Sequence, residues 1–134
     1  MIERAFVNLL VTDPRAAAGW FTDLLGWTPG FESDWFVHLH AAGNEAIELG
    51  LLRADHEIVP AAAAGRGGTM VTVVVADVDA VHAAAVEQGV TVVEAPRNLF
   101  YGQRRMVLEG PDGHLVDVSS EAEPDPAWLA SLSE

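Results

Sequence analysis

Two histidines, His38 and His40, stand two residues apart and shortly before an acidic residue, Glu48, in a run that is otherwise apolar. In an extended segment side chains alternate between faces, so Phe36, His38 and His40 share one face while Trp35, Val37 and Leu39 share the other. The next run separates Glu48 and Gly50 from Ile47, Leu49 and Leu51 in the same way. Imidazoles and a carboxylate gathered on one face have two uses. They can coordinate a divalent cation, although catalytic metals usually want three or more protein donors. They can also form a polar wall that hydrogen-bonds a guest, water or each other. With no cysteine in the chain, thiolate ligands, cysteine nucleophiles and disulfides are excluded, and five histidines supply all the nitrogen ligands. No Ser–His–Asp order, phosphate-cradling glycine loop or H-E-x-x-H helix is present, and Gly65-Arg66-Gly67-Gly68 is loop composition.

The elements that position these residues belong to one domain, since 134 residues leave no room for a second full one and half of them are apolar. Seven arginines and no lysine face twenty acidic residues, for a formal net charge of −13. That balance repels phosphate backbones and argues against nucleic acid, while cationic or neutral small molecules remain compatible. The first apolar stretch, Ala5 to Val11, is too short and wrongly flanked for a signal peptide, and no run approaches the roughly 18 apolar residues that span a bilayer. The expectation is a soluble, cytoplasmic protein with no membrane or nucleic-acid partner.

The chain repeats itself. FVNLLVTDPRAAAGWFTDLLG, starting at Phe6, and MVTVVVADVDAVHAAAVEQG, starting at Met70, each run from an apolar strand to a capping aspartate, a helix and a glycine stop. The capping residues Asp13 and Asp77 lie nearly half the chain apart, so the repeat is a duplicated module. Ala17, Trp20, Phe21, Leu24 and Leu25 form one helical stripe, and Val78, Val81, Ala85 and Val86 the other. Strands are predicted at 28–32, 35–41 and 46–52 after the first helix, and at 90–94, 104–109 and 115–119 after the second. The predicted fold is α+β, with two βαβββ modules at 4–52 and 69–120 and a linker at 53–68. Residues 121–134, with Trp128, are expected to form a loosely attached tail or a dimer-contacting arm. His56 and His114 are expected in solvent, and His82 in helix packing.

This order, the paired strand–Asp–helix–Gly starts and the late segment YGQRRMVLEGPDGHLVDVS resemble the vicinal oxygen chelate superfamily of glyoxalases, extradiol dioxygenases, and fosfomycin- and bleomycin-resistance proteins. The resemblance runs from about residue 4 to residue 120, and GPDGHLVDV is its strongest element. It implies mixed sheets curled into a barrel-like arrangement with the helices outside and a site on the concave faces.

The resemblance also implies which positions carry a metal where there is one. Counting back from the capping aspartates, the family's first-strand donors fall on Phe6 and Met70, neither of them a credible ligand. Glu48 and Asp117 match the acidic positions of the last strands, so two donors of four survive. Alternation then lines the concave face with Phe6, Asn8 and Leu10 in one module and Met70, Thr72 and Val74 in the other, beside Phe36, His38, His40 and Glu48. Tyr101 follows Phe100 where family members often present an aromatic, and Arg104 resembles the basic residue after it, expected to pair with Glu109, Asp117 or a ligand anion.

The expected function is sequestration of a drug or metabolite, cationic or aromatic, in an aromatic-lined cavity without a metal. It resembles that of bleomycin-resistance proteins, which implies a homodimer and an antibiotic-resistance role. The alternative is a metal-dependent lyase, isomerase or dioxygenase using Glu48, Asp117 and His38 or His40 around a divalent ion. A metal-free enzyme with Glu48 or Asp117 as general base, its pKa raised by burial, is a third possibility.

Overall fold

The computed structural model describes residues 4–59, 61–63 and 69–133. Pro60 and residues 64–68, in the predicted linker, lie outside the described residues. The elements run β1 (Val7–Val11), α1 (Pro14–Leu25), β2 (Thr28–Glu32), β3 (Phe36–Ala41), β4 (Asn44–Arg53), β5 (Met70–Val74), α2 (Val78–Glu87), β6 (Val92–Leu99), β7 (Gln103–Glu109), β8 (Leu115–Glu121) and α3 (Pro126–Ser131). This is the expected α+β fold, βαβββ twice over. One compact unit holds residues 1–69 with the turn Pro111–His114, the other residues 70–110 and 115–134.

In the first unit the strand order is β1-β4-β3-β2, with β1 parallel to β4 and the remaining pairs antiparallel. Local chemistry starts and stops the helix. Asp13 accepts from the Arg15 and Ala16 N–H groups, Pro14 takes the first turn where no N–H is needed, and Gly26 closes α1 at φ 71°. The helix buries Ala17, Ala18, Phe21 and Leu24, and the sheet beneath it buries Val37, Leu39, Leu49 and Leu51. Each fully buried large apolar side chain is worth about 1.5–3 kcal/mol against exposure. Ile47, expected in this set, is half exposed, because the set closes one pair further along at Leu49.

The turn Pro111–His114 packs within this unit. Asp112, at φ 54°, accepts from the Thr12 N–H and hydroxyl at 3.0 and 2.6 Å. His114 is half-buried rather than free in solvent, its Nε2–H donating to the Leu10 carbonyl at 2.8 Å. His56 is also half-buried, stacked on Trp35 with centroids 4.4 Å apart.

The second unit repeats the plan with strand order β5-β8-β7-β6. Asp77 caps α2, and Val78 and Ala85 pack toward Met106, Leu108, Val116 and Val118. Val86 was predicted in the stripe but is largely exposed. Strand β6 runs on to Leu99 instead of ending at Glu94. A register shift between Glu94 and Arg97 absorbs Pro96, which has no N–H to give the ladder. The tail is not a loose appendage: β8 continues to Glu121, Asp125 caps α3 while its own N–H donates to the Phe100 carbonyl, and Trp128 packs edge-on against Phe100. Neither four-stranded sheet closes on itself as a barrel.

Candidate functional site

Register builds the site on the face of the first sheet opposite α1. Asn8, Gly50 and His38 form one row across β1, β4 and β3, and Glu48 and His40 pair in the next row. Phe36 pairs with Leu52 in the row beyond Gly50. Gly50 is buried, and a Cβ there would collide with Asn8 Oδ1 and stand 3.0 Å from the Phe36 ring. Gly30, at the register shift of β2, leaves room for His38, whose Nδ1 a Cβ would meet at 2.5 Å.

Glu48 organises this face. Its side chain is 6% exposed, and its two oxygens lie 2.7 and 2.9 Å from Arg4 Nε, with Arg4 Nη2 also bonded to Oε1. His38 Nε2 reaches the same Oε1 at 2.8 Å. The Arg4 guanidinium lies 4.9 Å over the Phe6 ring, and Phe6 meets His38 edge-on at 6.1 Å. The Arg4 hydrogen bonds hold the Glu48 carboxyl down to about 2; burial opposes them and His38 assists. A carboxylate so ionised only accepts, so His38 Nε2 carries the proton and does not accept from Arg4 Nη2 at 3.2 Å. His40 turns aside, its Nδ1–H donating to the Ala41 carbonyl at 3.1 Å. Arg4, His38, His40, Glu45 and Glu48 border an open cavity of ≈ 580 Å³.

The second unit carries a related cluster. Asp117 is buried and accepts from the Thr72 hydroxyl at 3.1 Å and the Ser119 hydroxyl at 2.7 Å. Arg105, on the same face, donates to Glu94 at 2.7 Å, and its Nε is buried with no hydrogen-bond partner among the described residues. Glu94 first, with Asp117 and Tyr101 contributing less, raises the Arg105 pKa against the cost of burial. Met70 is half exposed at the start of β5, and Tyr101 packs edge-on against Phe100. Arg104 pairs with neither Glu109 nor Asp117. It forks onto Asp79 at 2.9 and 3.0 Å and reaches Asn98 at 3.2 Å. Alternation puts it on the face opposite Arg105.

The family model for the Glyoxalase/Bleomycin resistance protein/Dioxygenase superfamily matches residues 4–118. The chain belongs to this superfamily. Similar solved structures include a superfamily member from Sphaerobacter thermophilus, with TM-score 0.73, 22% identity and coverage of 90% of this chain and 98% of that one. A family enzyme from Burkholderia phytofirmans has TM-score 0.73, 18% identity and coverage of 87% and 96%. TioX from Micromonospora sp. ML1 has TM-score 0.68, 21% identity and coverage of 90% and 98%. At these identities the likeness is one of fold. No curated protein matches the chain in sequence.

Within this superfamily frame, His38, His40 and Glu48 do share one face, as alternation required, while Asp117 lies in the second unit. The two carboxylates are not at equivalent register positions. Asp117 lies opposite Thr72 on β5, whereas the residue opposite Asn8, the matching position of β1, is Gly50. Among the described residues no three His, Asp or Glu side chains gather into a group that could hold a metal ion. Phe6 offers no donor, and Arg4 occupies both oxygens of Glu48. The first-unit residues as they stand do not fit a divalent cation.

The sequence reading overlooked Arg4, Gly30 and Glu45 in the first unit and Arg105, Glu94 and Ser119 in the second. Arg4 was within reach of the same reasoning, since alternation carried back from Phe6 and Asn8 puts it on their face. Arg105 was not, because the following Met106-Val107-Leu108 run is apolar on both faces and conceals which arginine turns inward.

Proposed function

We propose that the protein is a metal-free binder of a small molecule, a drug or metabolite with a cationic group on an aromatic or apolar body. It would work as a cytoplasmic homodimer of the bleomycin-resistance type. The observation that carries this reading is the Glu48 carboxylate, shielded from water, ionised, and held by a guanidinium stacked on Phe6. The cavity it borders also contains Glu45, so its acidic groups favour a positively charged guest. Phe6, Phe31 and Phe36 bring aromatic surface to the same region, with Phe31 and Phe36 6.3 Å apart. No helix among the described residues is long and apolar enough to cross a membrane.

A carboxyl held near 2 is a weak base at neutral pH, which weighs against Glu48 as a proton acceptor in catalysis. Titration of tryptophan fluorescence with cationic and polyaromatic antibiotics tests the proposal; a saturable response to one of them is expected, and none from any would count against sequestration. Metal analysis of protein purified without chelators tests the enzyme alternative. Near-stoichiometric zinc, nickel, iron or manganese, lost in Glu48→Gln, would replace the binding reading with a metalloenzyme.

A further inference from the structure

Arg4 stands where a cationic guest would stand. It belongs to the segment before β1, outside the strand ladder, and its side chain is more than half exposed although the carboxylate it holds is buried. It presents a planar fork to both Glu48 oxygens and places its guanidinium carbon over Phe6. Removing it would leave a shielded carboxylate with His38 as its remaining donor and Glu45 on the same cavity wall. A buried charge without its partner is costly, so the vacated position calls for a replacement cation.

We infer that Arg4 is an internal stand-in for the ligand: the site takes a planar guanidinium or amidinium group on an aromatic or apolar body, and binding displaces Arg4 from Glu48 and Phe6. The inference rests on the ligand-binding reading and narrows it. A planar fork matches two carboxylate oxygens in a way that an ammonium point charge does not. A neutral isostere would displace Arg4 without replacing its charge, so the site discriminates against it. Because the Arg4 side chain is more than half exposed, water can take over its hydrogen bonds when a ligand replaces it at Glu48.

The test uses the full chain with benzamidine as probe and benzamide as its neutral isostere, measured by calorimetry and by NMR of the His38 ring. Wild type should bind benzamidine and discriminate against benzamide at least tenfold. Arg4→Ala should bind benzamidine roughly two- to fivefold more tightly, the worth of an exposed ion pair. Glu48→Gln should lose at least tenfold. Arg4 lies outside the strand ladder, so Arg4→Ala leaves every strand residue in place and the benzamidine comparison stands even if Glu48→Gln folds poorly. Equal affinity for benzamide and benzamidine, or no gain in Arg4→Ala, would overturn the inference while leaving a ligand site in place. Failure of both probes, with no response to the antibiotic panel, would remove the binding reading as well.

Discussion

His38 and Glu48 meet on a diagonal of the β3–β4 ladder: His40 is the direct cross-strand partner of Glu48, yet the 2.8 Å contact is to His38. Diagonal neighbours in antiparallel pairs are within reach of long side chains. The diagonal leaves His40 free to donate to the Ala41 carbonyl and brings His38 under Phe6.

The Glu48 pairing gives stability a definite acid dependence. Its folded pKa of about 2 lies below the ordinary carboxylate value near 4.3, so the unfolded chain binds the extra proton between them. The contribution is complete above the ordinary value and is lost as pH falls through about 2. Denaturant unfolding from pH 6 to pH 2 should show the stability gap between wild type and Glu48→Gln closing as pH falls across that window. A gap independent of pH would show that the carboxylate is not held this way. In Arg4→Ala the folded value lies nearer the ordinary one, so the loss should be smaller and should end at higher pH.

Gly50 is small because Asn8 covers it. Gly50→Ala should cost about 1–3 kcal/mol through overpacking against Asn8 and Phe36. Asn8→Ala in the same chain should recover part of that loss, and a double-mutant cycle from denaturant unfolding would measure the coupling. Strict additivity would contradict the contact.

The two helical stripes make a contrast in burial. Phe21, on the buried side of α1 at 0% exposure, should cost about 3–5 kcal/mol on replacement by alanine. Val86, expected in the second stripe, is 61% exposed, and Val86→Ala should stay within about 0.5 kcal/mol. Thermal or denaturant unfolding of the two variants decides whether Val86 lies outside the core.

Adjacent arginines on β7 should behave differently. Arg104 forks onto exposed Asp79, and Arg104→Ala should change stability little. Arg105 is the more enclosed of the two and faces Glu94 and Asp117, so Arg105→Ala should destabilise more. Equal losses would show that the face assignment of the pair is mistaken.

The legible part of the fold is the part decided by near neighbours. Asp13 and Asp77 as caps, Pro14 after the first of them, Gly26 as a stop and the alternation through Phe36–His40 all follow from backbone rules spanning a few residues, and all were readable. The face shared by His38, His40 and Glu48 belongs to the same class, because period two carries along each strand separately. The misplaced features depend on which strands pair and in what register. Val86 and Ile47 satisfy the local pattern but lie where no neighbouring element among the described residues covers them.

The sequence by itself determined the duplicated βαβββ plan, its helix boundaries, the absence of cysteine chemistry and the acidic balance, since each is a property of composition or local geometry. Only the tertiary structure decided what the charges do. Arg4 reaches Glu48 from the far side of α1 in sequence, Arg104 turns to Asp79, Arg105 turns to Glu94, and Asp117 falls opposite Thr72. Ion pairs form between whichever groups the ladder brings within a few ångströms, and separation along the chain carries no information about that. The Glu48 carboxyl, which the general-base alternative would have raised by burial, is driven down because folding delivers a guanidinium to it.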